Sequence, residues 1–75
     1  MSAKLLKSLA EGKCLVANRI SAEVIVYWPT EAGPQNLVIK PENRAVDLLK
    51  FATVAQLRKS SNLKKLVNEG HLYVL

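Results

Sequence analysis

The sequence predicts one small domain of the mainly β class, with short helices before the first strand and before the last. Runs of β-branched and aromatic residues support this prediction, the strongest being residues 22–28 (AEVIVYW), because such side chains fit a pleated, half-buried surface. Proline and glycine separate the runs, as in Pro29–Gln35, and both favour turns. The length of 75 residues allows a single thin core, since so short a chain buries only about 60% of its unfolded surface.

Residues 1–12 are predicted to form an N-terminal arm or short helix that precedes the body, residues 13–75. Leu5, Leu6 and Leu9 fit one face of a helix, and a glycine follows where the helix would end. A helix this short is marginal alone and needs a surface to lie against. Two interpretations stay open: a tail that becomes helical on packing, or an arm that docks on a neighbouring subunit.

Four strand-like runs follow the arm: residues 13–18 (KCLVAN), 22–28, 36–40 (NLVIK) and 44–51 (RAVDLLKF). In the second run, alternation puts Val24, Val26 and Trp28 on one face. The other face carries Ile25 and Tyr27, which are also apolar, so both faces can be covered.

The run at residues 44–51 fits either a strand or a helix. It lies between a Pro-Glu-Asn turn and Phe51, and on that ground we favour a strand. Phe51 and Tyr73 are both interpreted as core residues.

Residues 53–75 carry the clearest local signals. Thr53 with Gln56 has capping-box spacing and predicts a short helix over residues 53–59. Ser60 or Ser61 can cap a second helix, whose apolar face holds leucines and a valine at helical spacing. Gly70 sits where a helix ends in a left-handed residue, and the strand-like run at residues 71–75 follows.

This order of elements predicts a small antiparallel β-barrel that its last strand closes. An SH3-like order is the nearest common architecture, because there a single helical turn precedes strand five. An OB-fold fits less well, because its helix normally lies between strands three and four.

The composition removes two of the usual stabilisers of small domains. Cys14 is the only cysteine, so no disulfide can form within the chain, and we interpret it as a buried small hydrophobe. Cys14 and His71 cannot complete a structural zinc site, which takes four ligands. We therefore expect no metal or other cofactor, and we expect a homo- or hetero-oligomeric assembly with other protein subunits.

No membrane segment is predicted. No stretch approaches the ~18 apolar residues that span a bilayer. The apolar run at the N-terminus is interrupted by Lys7 and is too short for a signal peptide. We expect a protein that is kept inside a cell or packed into something assembled there.

No motif for catalysis is found. The glycines are scattered, so there is no phosphate-binding loop, and there is neither a serine elbow nor an HExxH sequence. His71 is the only histidine, and a general base also needs a positioned nucleophile or substrate proton. We expect a protein that is not an enzyme, without catalytic residues or a small-molecule substrate.

Two sets of residues are candidates for binding. The apolar set, expected to bind protein partners, consists of Leu5, Leu6, Leu9, Tyr27 and Trp28. Within it, Trp28 either lies on the rim of the barrel and enters a partner or plugs the barrel's open end.

The second set is basic and lies in a segment without acids: Arg58, Lys59, Lys64 and Lys65. With a net charge of +5, these cations could neutralise nucleic-acid phosphates. They also fit a solvated helix face that keeps a small protein soluble, and we favour that interpretation. Exposed aromatics for base stacking are few, which argues against base readout.

The second half of the chain resembles small structural proteins of tailed-bacteriophage virions, of the head- or connector-associated or decoration type. The resemblance covers about residues 36–75 and rests on the motifs Asn36-Leu-Val-Ile-Lys-Pro41, Ser60-x-x-Leu63-x-x-Leu66 and Gly70-x-Leu72-x-Val74. It implies a non-enzymatic structural or cement component that is made in the host cytoplasm. Many copies of such a protein are present in each virion, where they bind capsid or connector subunits. A small nucleic-acid-binding or regulatory module, using the basic set, is the alternative.

Overall fold

The computed structural model describes residues 3–41 and 45–75. In chain order the elements are α1 (Ala3–Ala10), β1 (Leu15–Asn18), β2 (Val24–Trp28), β3 (Gln35–Ile39), β4 (Val46–Asp47), a 3₁₀ helix (Leu48–Lys50), α2 (Val54–Arg58), α3 (Ser61–Asn68) and β5 (Leu72–Val74). The predicted combination of antiparallel strands with short helices is confirmed. The predicted turn at residues 41–43 and the start of the run at residues 44–51 fall partly outside the described residues.

The strands form two antiparallel sheets. One has three strands in the order β4-β1-β5, and the other consists of β2 and β3. Val16 at the centre of the first sheet pairs with Val46 on one side and with Val74 on the other. Within the described ranges no closed barrel is found, because the two sheets do not join.

A tight hairpin connects β2 and β3. Thr30 and Gly33 exchange backbone hydrogen bonds of 3.2 and 3.0 Å, and Gly33 has a φ of 108°, which a side-chain-bearing residue adopts only with strain. The predicted alternation of β2 is confirmed: Val24, Val26 and Trp28 are buried. Trp28 is only 5% exposed, so it belongs to the core and is not a rim residue.

Helix α1 packs on the body of its own chain. Leu5 and Leu9 lie fully within the core, where α1 approaches α2 and β5. Gly12, at a φ of 74°, follows the end of the helix. Packing on its own chain supplies the surface that so short a helix needs.

The interpretation of residues 44–51 as a strand is wrong beyond Asp47. Of the described residues in this run, only Val46 and Asp47 pair with β1. The Asp47 carboxylate then accepts a hydrogen bond from the Leu49 N–H at 3.0 Å, and this cap starts the 3₁₀ helix. Because the helical turn rotates the chain, Phe51 leaves the core and is 54% exposed.

Tyr73 was also expected in the core and is 41% exposed instead. Its neighbours in β5, Leu72 and Val74, are buried. In a strand of period two, the residue between two buried positions must face outward.

The capping signals of the last third are confirmed. Thr53 and Gln56 form a complete capping box at the start of α2. Ser60 caps α3 by accepting a hydrogen bond from the Leu63 N–H at 3.0 Å. Gly70 has a φ of 79° and turns the chain from α3 into β5.

We expect replacement of Leu5 by alanine to lower the free energy of unfolding by about 2–5 kcal/mol, because it leaves a cavity in the core. Replacement of Leu6, the exposed neighbour on α1, by alanine should change the free energy of unfolding by less than about 0.5 kcal/mol. Urea denaturation of both variants measures the difference. Equal effects would mean that α1 does not pack on its own chain.

Candidate functional site

The outer face of the β2–β3 sheet carries an exposed apolar patch. Its members are Ile25, Tyr27 and Val38, which are 40%, 45% and 42% exposed. Ile25 and Val38 lie directly opposite each other on the two strands, so their side chains adjoin on this face. We call these three residues the outer patch.

Helix α3 covers the outer edge of β2 at Tyr27. The Tyr27 N–H donates a hydrogen bond to the Asn62 side-chain oxygen at 2.8 Å, and the Ser60 hydroxyl donates to the Tyr27 carbonyl oxygen. Both backbone groups of Tyr27 therefore point away from β3. Its partner in the register is Asn36, so this pair is of the type that exchanges no ladder hydrogen bonds.

The outer edge of β3 is open. Since hydrogen-bonded and non-hydrogen-bonded pairs alternate in an antiparallel ladder, the backbone groups of both Asn36 and Val38 point away from β2. Within residues 3–41 and 45–75, no third strand pairs with them. Pro34 and Lys40 flank this edge, and both residue types limit uncontrolled strand addition. The open edge, Asn36 to Val38, adjoins the outer patch.

The structure separates the residues that were expected to bind protein partners. Leu6 and Tyr27 are exposed, whereas Leu5, Leu9 and Trp28 are buried among core side chains. This corrects the prediction for the three buried residues, because in this fold they present no surface to a partner. Sequence reasoning missed Val38, whose exposure follows from its place opposite Ile25 on an uncovered face.

The four cations of the basic set do not gather in one cleft. Lys59 lines a cleft of about 360 Å³ beside the hairpin residues Pro29–Glu31, and the other three do not. Arg58 and Lys65 are exposed, and Lys64 is half-buried.

A second basic group surrounds Tyr73. The Lys4 Nζ lies 4.7 Å from the centre of the Tyr73 ring, and the Arg19 guanidinium carbon lies 4.6 Å from it. Lys4 also makes a long hydrogen bond of 3.5 Å to the Tyr73 hydroxyl. Sequence reasoning missed this group because its members come from α1, the end of β1 and β5, which only the fold brings together.

Two neighbouring clefts share Lys4. One, of about 230 Å³, lies beside Arg19 and Tyr73 and has an apolar floor that includes Val67 and Leu72. The other, of about 290 Å³, is lined by Lys4, Lys7 and Lys13 together with Glu11. The cations of both clefts therefore form one continuous basic surface.

Cys14 is buried, as expected. Burial in the core raises the pKa of its thiol from 9.0 to about 11, and the negative charge of Asp47 adds to this effect. A thiol must lose its proton to act as a nucleophile. Cys14 is therefore held in an unreactive form.

The described residues include a side-chain ion pair at the end of α3. His71 and Glu69 form an ion pair with 3.8 Å between Nδ1 and Oε1 when the histidine is protonated. In the described ranges no three His, Cys, Asp or Glu side chains lie close enough together to hold a metal ion. None of the described helices has the length and apolar character needed to cross a membrane.

Comparison with models of known protein families, with curated proteins and with solved structures finds no match to this chain. The resemblance of residues 36–75 to virion proteins therefore stays a prediction.

Replacement of Ser60 by alanine should lower the free energy of unfolding by about 2 kcal/mol, because the α3 cap and the bond to the Tyr27 carbonyl are lost together. Ser61→Ala is the matched control, since Ser61 is exposed and should cost less than about 0.5 kcal/mol. Chemical denaturation compares the two variants. An equal loss in both would show that Ser60 does not join α3 to β2.

We expect iodoacetamide to alkylate Cys14 much more slowly in the native protein than in denaturant at mildly alkaline pH. The pKa of the Cys14 thiol is higher in the folded protein than in the unfolded chain, so protonation of this thiol favours the folded state. Its contribution to stability is present below about pH 9 and declines as the pH rises toward about 11. Asp47→Asn should leave the native rate low, since burial is the larger cause. Equal alkylation rates in native and denatured protein would contradict the burial of the Cys14 thiol.

Proposed function

We propose that this chain is a non-enzymatic assembly protein whose β2–β3 sheet binds other protein subunits, including further copies of the chain. The observation that carries the proposal is the outer patch of Ile25, Tyr27 and Val38 beside the open edge of β3. Apolar side chains supply burial energy, and unpaired backbone groups on a strand edge supply directional hydrogen bonds to an added strand.

A second copy fits this edge without a register conflict. A two-fold axis beside Leu37 would place Asn36 of one copy opposite Val38 of the other, and the backbone groups of both residues point outward. Each such pair could exchange both of its ladder hydrogen bonds. Leu37 is half-buried on the core side of the edge and would meet its own counterpart across the axis, extending the core.

The proposal depends on an open edge. A closed SH3-like barrel, the finer prediction for this fold, would pair every strand and leave no such edge. That closure stays a prediction. Further subunits could complete the β2–β3 sheet instead, which would also help to stabilise a chain with so small a core.

The virion setting of this proposal comes from the resemblance over residues 36–75. As a cement or decoration subunit, the chain would be made in the host cytoplasm and located in the virion, where it would bind capsid or connector subunits. Strand addition suits this task because backbone hydrogen bonds need little side-chain specificity.

The alternative, a nucleic-acid-binding module using Arg58, Lys59, Lys64 and Lys65, has less geometric support. Of these cations only Lys59 lines the cleft beside Pro29–Glu31, and Lys64 is half-buried. The assembly proposal is therefore preferred.

The mass of the purified chain, measured by light scattering over a range of concentrations, tests the assembly proposal. We expect a discrete oligomer for the wild type. Val38→Lys should shift it toward the monomer, because the two-fold axis places the introduced ammonium groups of the two copies diagonally across the joined edge, about 7–8 Å apart, where like charges repel. Asn36→Pro should also shift the mass toward the monomer, because proline lacks the backbone N–H that points away from β2. The hydrogen bonds between β3 and β2 should be little affected.

Phe51→Lys is the matched control, since it places the same charge at another exposed apolar position. It should retain the wild-type mass. A wild type that stays monomeric at every concentration, or equal masses for Val38→Lys and Phe51→Lys, would contradict the proposal.

A further inference from the structure

The side chains around Tyr73 present hydrogen-bond donors that converge on one cleft. Arg19 and Lys4 each lie against the Tyr73 ring and line the same cleft. Because an ammonium group has no acceptor, Lys4 must be the donor in its contact with the Tyr73 hydroxyl. The tyrosine proton therefore stays available to a further acceptor.

The positive charge of this cleft is not neutralised by the described part of the chain. The ion pair found between described side chains joins Glu69 and His71, and no carboxylate pairs with Lys4 or Arg19. Two cations held against one ring repel each other, whereas an anion between them would be attracted to both. The complement of this cleft is thus an acceptor-only anionic group.

The shape of the basic surface favours an extended anion over a small one. Lys4 also lines the adjoining cleft with Lys7 and Lys13, so the cations continue beyond Tyr73. Among the described residues that line the two clefts, Glu11 is the one with an acidic side chain, and Leu75 also lines the second cleft. A row of cations matches a chain of phosphates, each of which can be neutralised by a nearby lysine or arginine.

We propose that the surface formed by Lys4, Lys7, Lys13, Arg19 and Tyr73 binds the phosphate backbone of nucleic acid. The Arg19 guanidinium can hold a phosphate with two parallel hydrogen bonds, and Lys4 adds charge. The Tyr73 ring lies against both cations, which leaves it poorly placed for base stacking, so binding is independent of sequence. This surface lies on the β1–β5 sheet and α1, apart from the outer patch.

Fluorescence anisotropy of a labelled short DNA duplex, titrated with the full chain over a range of salt concentrations, tests this proposal. We expect the logarithm of the association constant to fall linearly with the logarithm of salt concentration. Lys4→Gln and Arg19→Gln should each weaken binding and reduce the slope by about 1, since each removes one phosphate contact. Lys50→Gln, at an exposed position elsewhere, should leave the slope unchanged.

Further variants and ligands separate the alternatives. The double variant Lys64→Gln/Lys65→Gln should bind the duplex as tightly as Lys50→Gln does. A larger loss of affinity in this double variant than in Lys4→Gln or Arg19→Gln would overturn the proposal and assign DNA binding to α3. Tyr73→Phe keeps the ring and should weaken binding modestly. A nucleoside monophosphate should compete poorly with the duplex. Tight binding of the mononucleotide, or no DNA binding at low salt, would overturn the proposal that this surface binds a phosphate backbone.

These results are independent of the assembly proposal. Lys4→Gln and Arg19→Gln should leave the mass of the protein unchanged, and Val38→Lys should leave the salt slope unchanged. A loss of DNA binding that occurs only in variants with altered mass would assign the effect to oligomerisation and overturn a site at Tyr73.

Discussion

The hydroxyl of Ser60 makes the two hydrogen bonds on which the arrangement of this small protein depends. It accepts from the Leu63 N–H and so starts α3, and it donates to the Tyr27 carbonyl oxygen and so attaches α3 to β2. Asn62 reinforces the attachment through the Tyr27 N–H. Since Ser60 is nearly fully buried, water cannot replace these bonds at low cost. The outer edge of β2 is thereby covered by a helix at Tyr27, whereas the described residues leave the outer edge of β3 open.

This asymmetry divides the surface into two regions with different physical character. The β2–β3 sheet offers apolar side chains and free backbone groups on one face and one edge. The β1–β5 sheet together with α1 offers cations around Tyr73 and an almost acid-free pair of clefts. A subunit that contacted protein through one region and phosphates through the other could lie between a protein shell and a nucleic acid.

Several features could be predicted because their causes are local. The capping serine and threonine, the glycine after α3 and the alternation of β2 each depend on a few neighbouring residues, and all appear where expected. The errors have a local cause at Phe51 and a nonlocal cause at Leu5 and Leu9. Phe51 was assigned to the core because a strand was expected through residue 51, but the Asp47 cap begins a 3₁₀ helix and turns Phe51 outward. Leu5 and Leu9 were expected to bind a partner, but their own core receives them.

The sequence by itself determined the type and the ends of most elements, together with the positive net charge, since dihedral preferences and caps act over a few residues. Tertiary structure alone decided which apolar residues stay exposed and which cations meet. Val38 is exposed because the described part of the chain leaves the outer face of the β2–β3 sheet uncovered, and Lys4 reaches Tyr73 across 69 positions of the chain. Both facts depend on how elements pack, and packing depends on contacts between distant residues that no local pattern encodes.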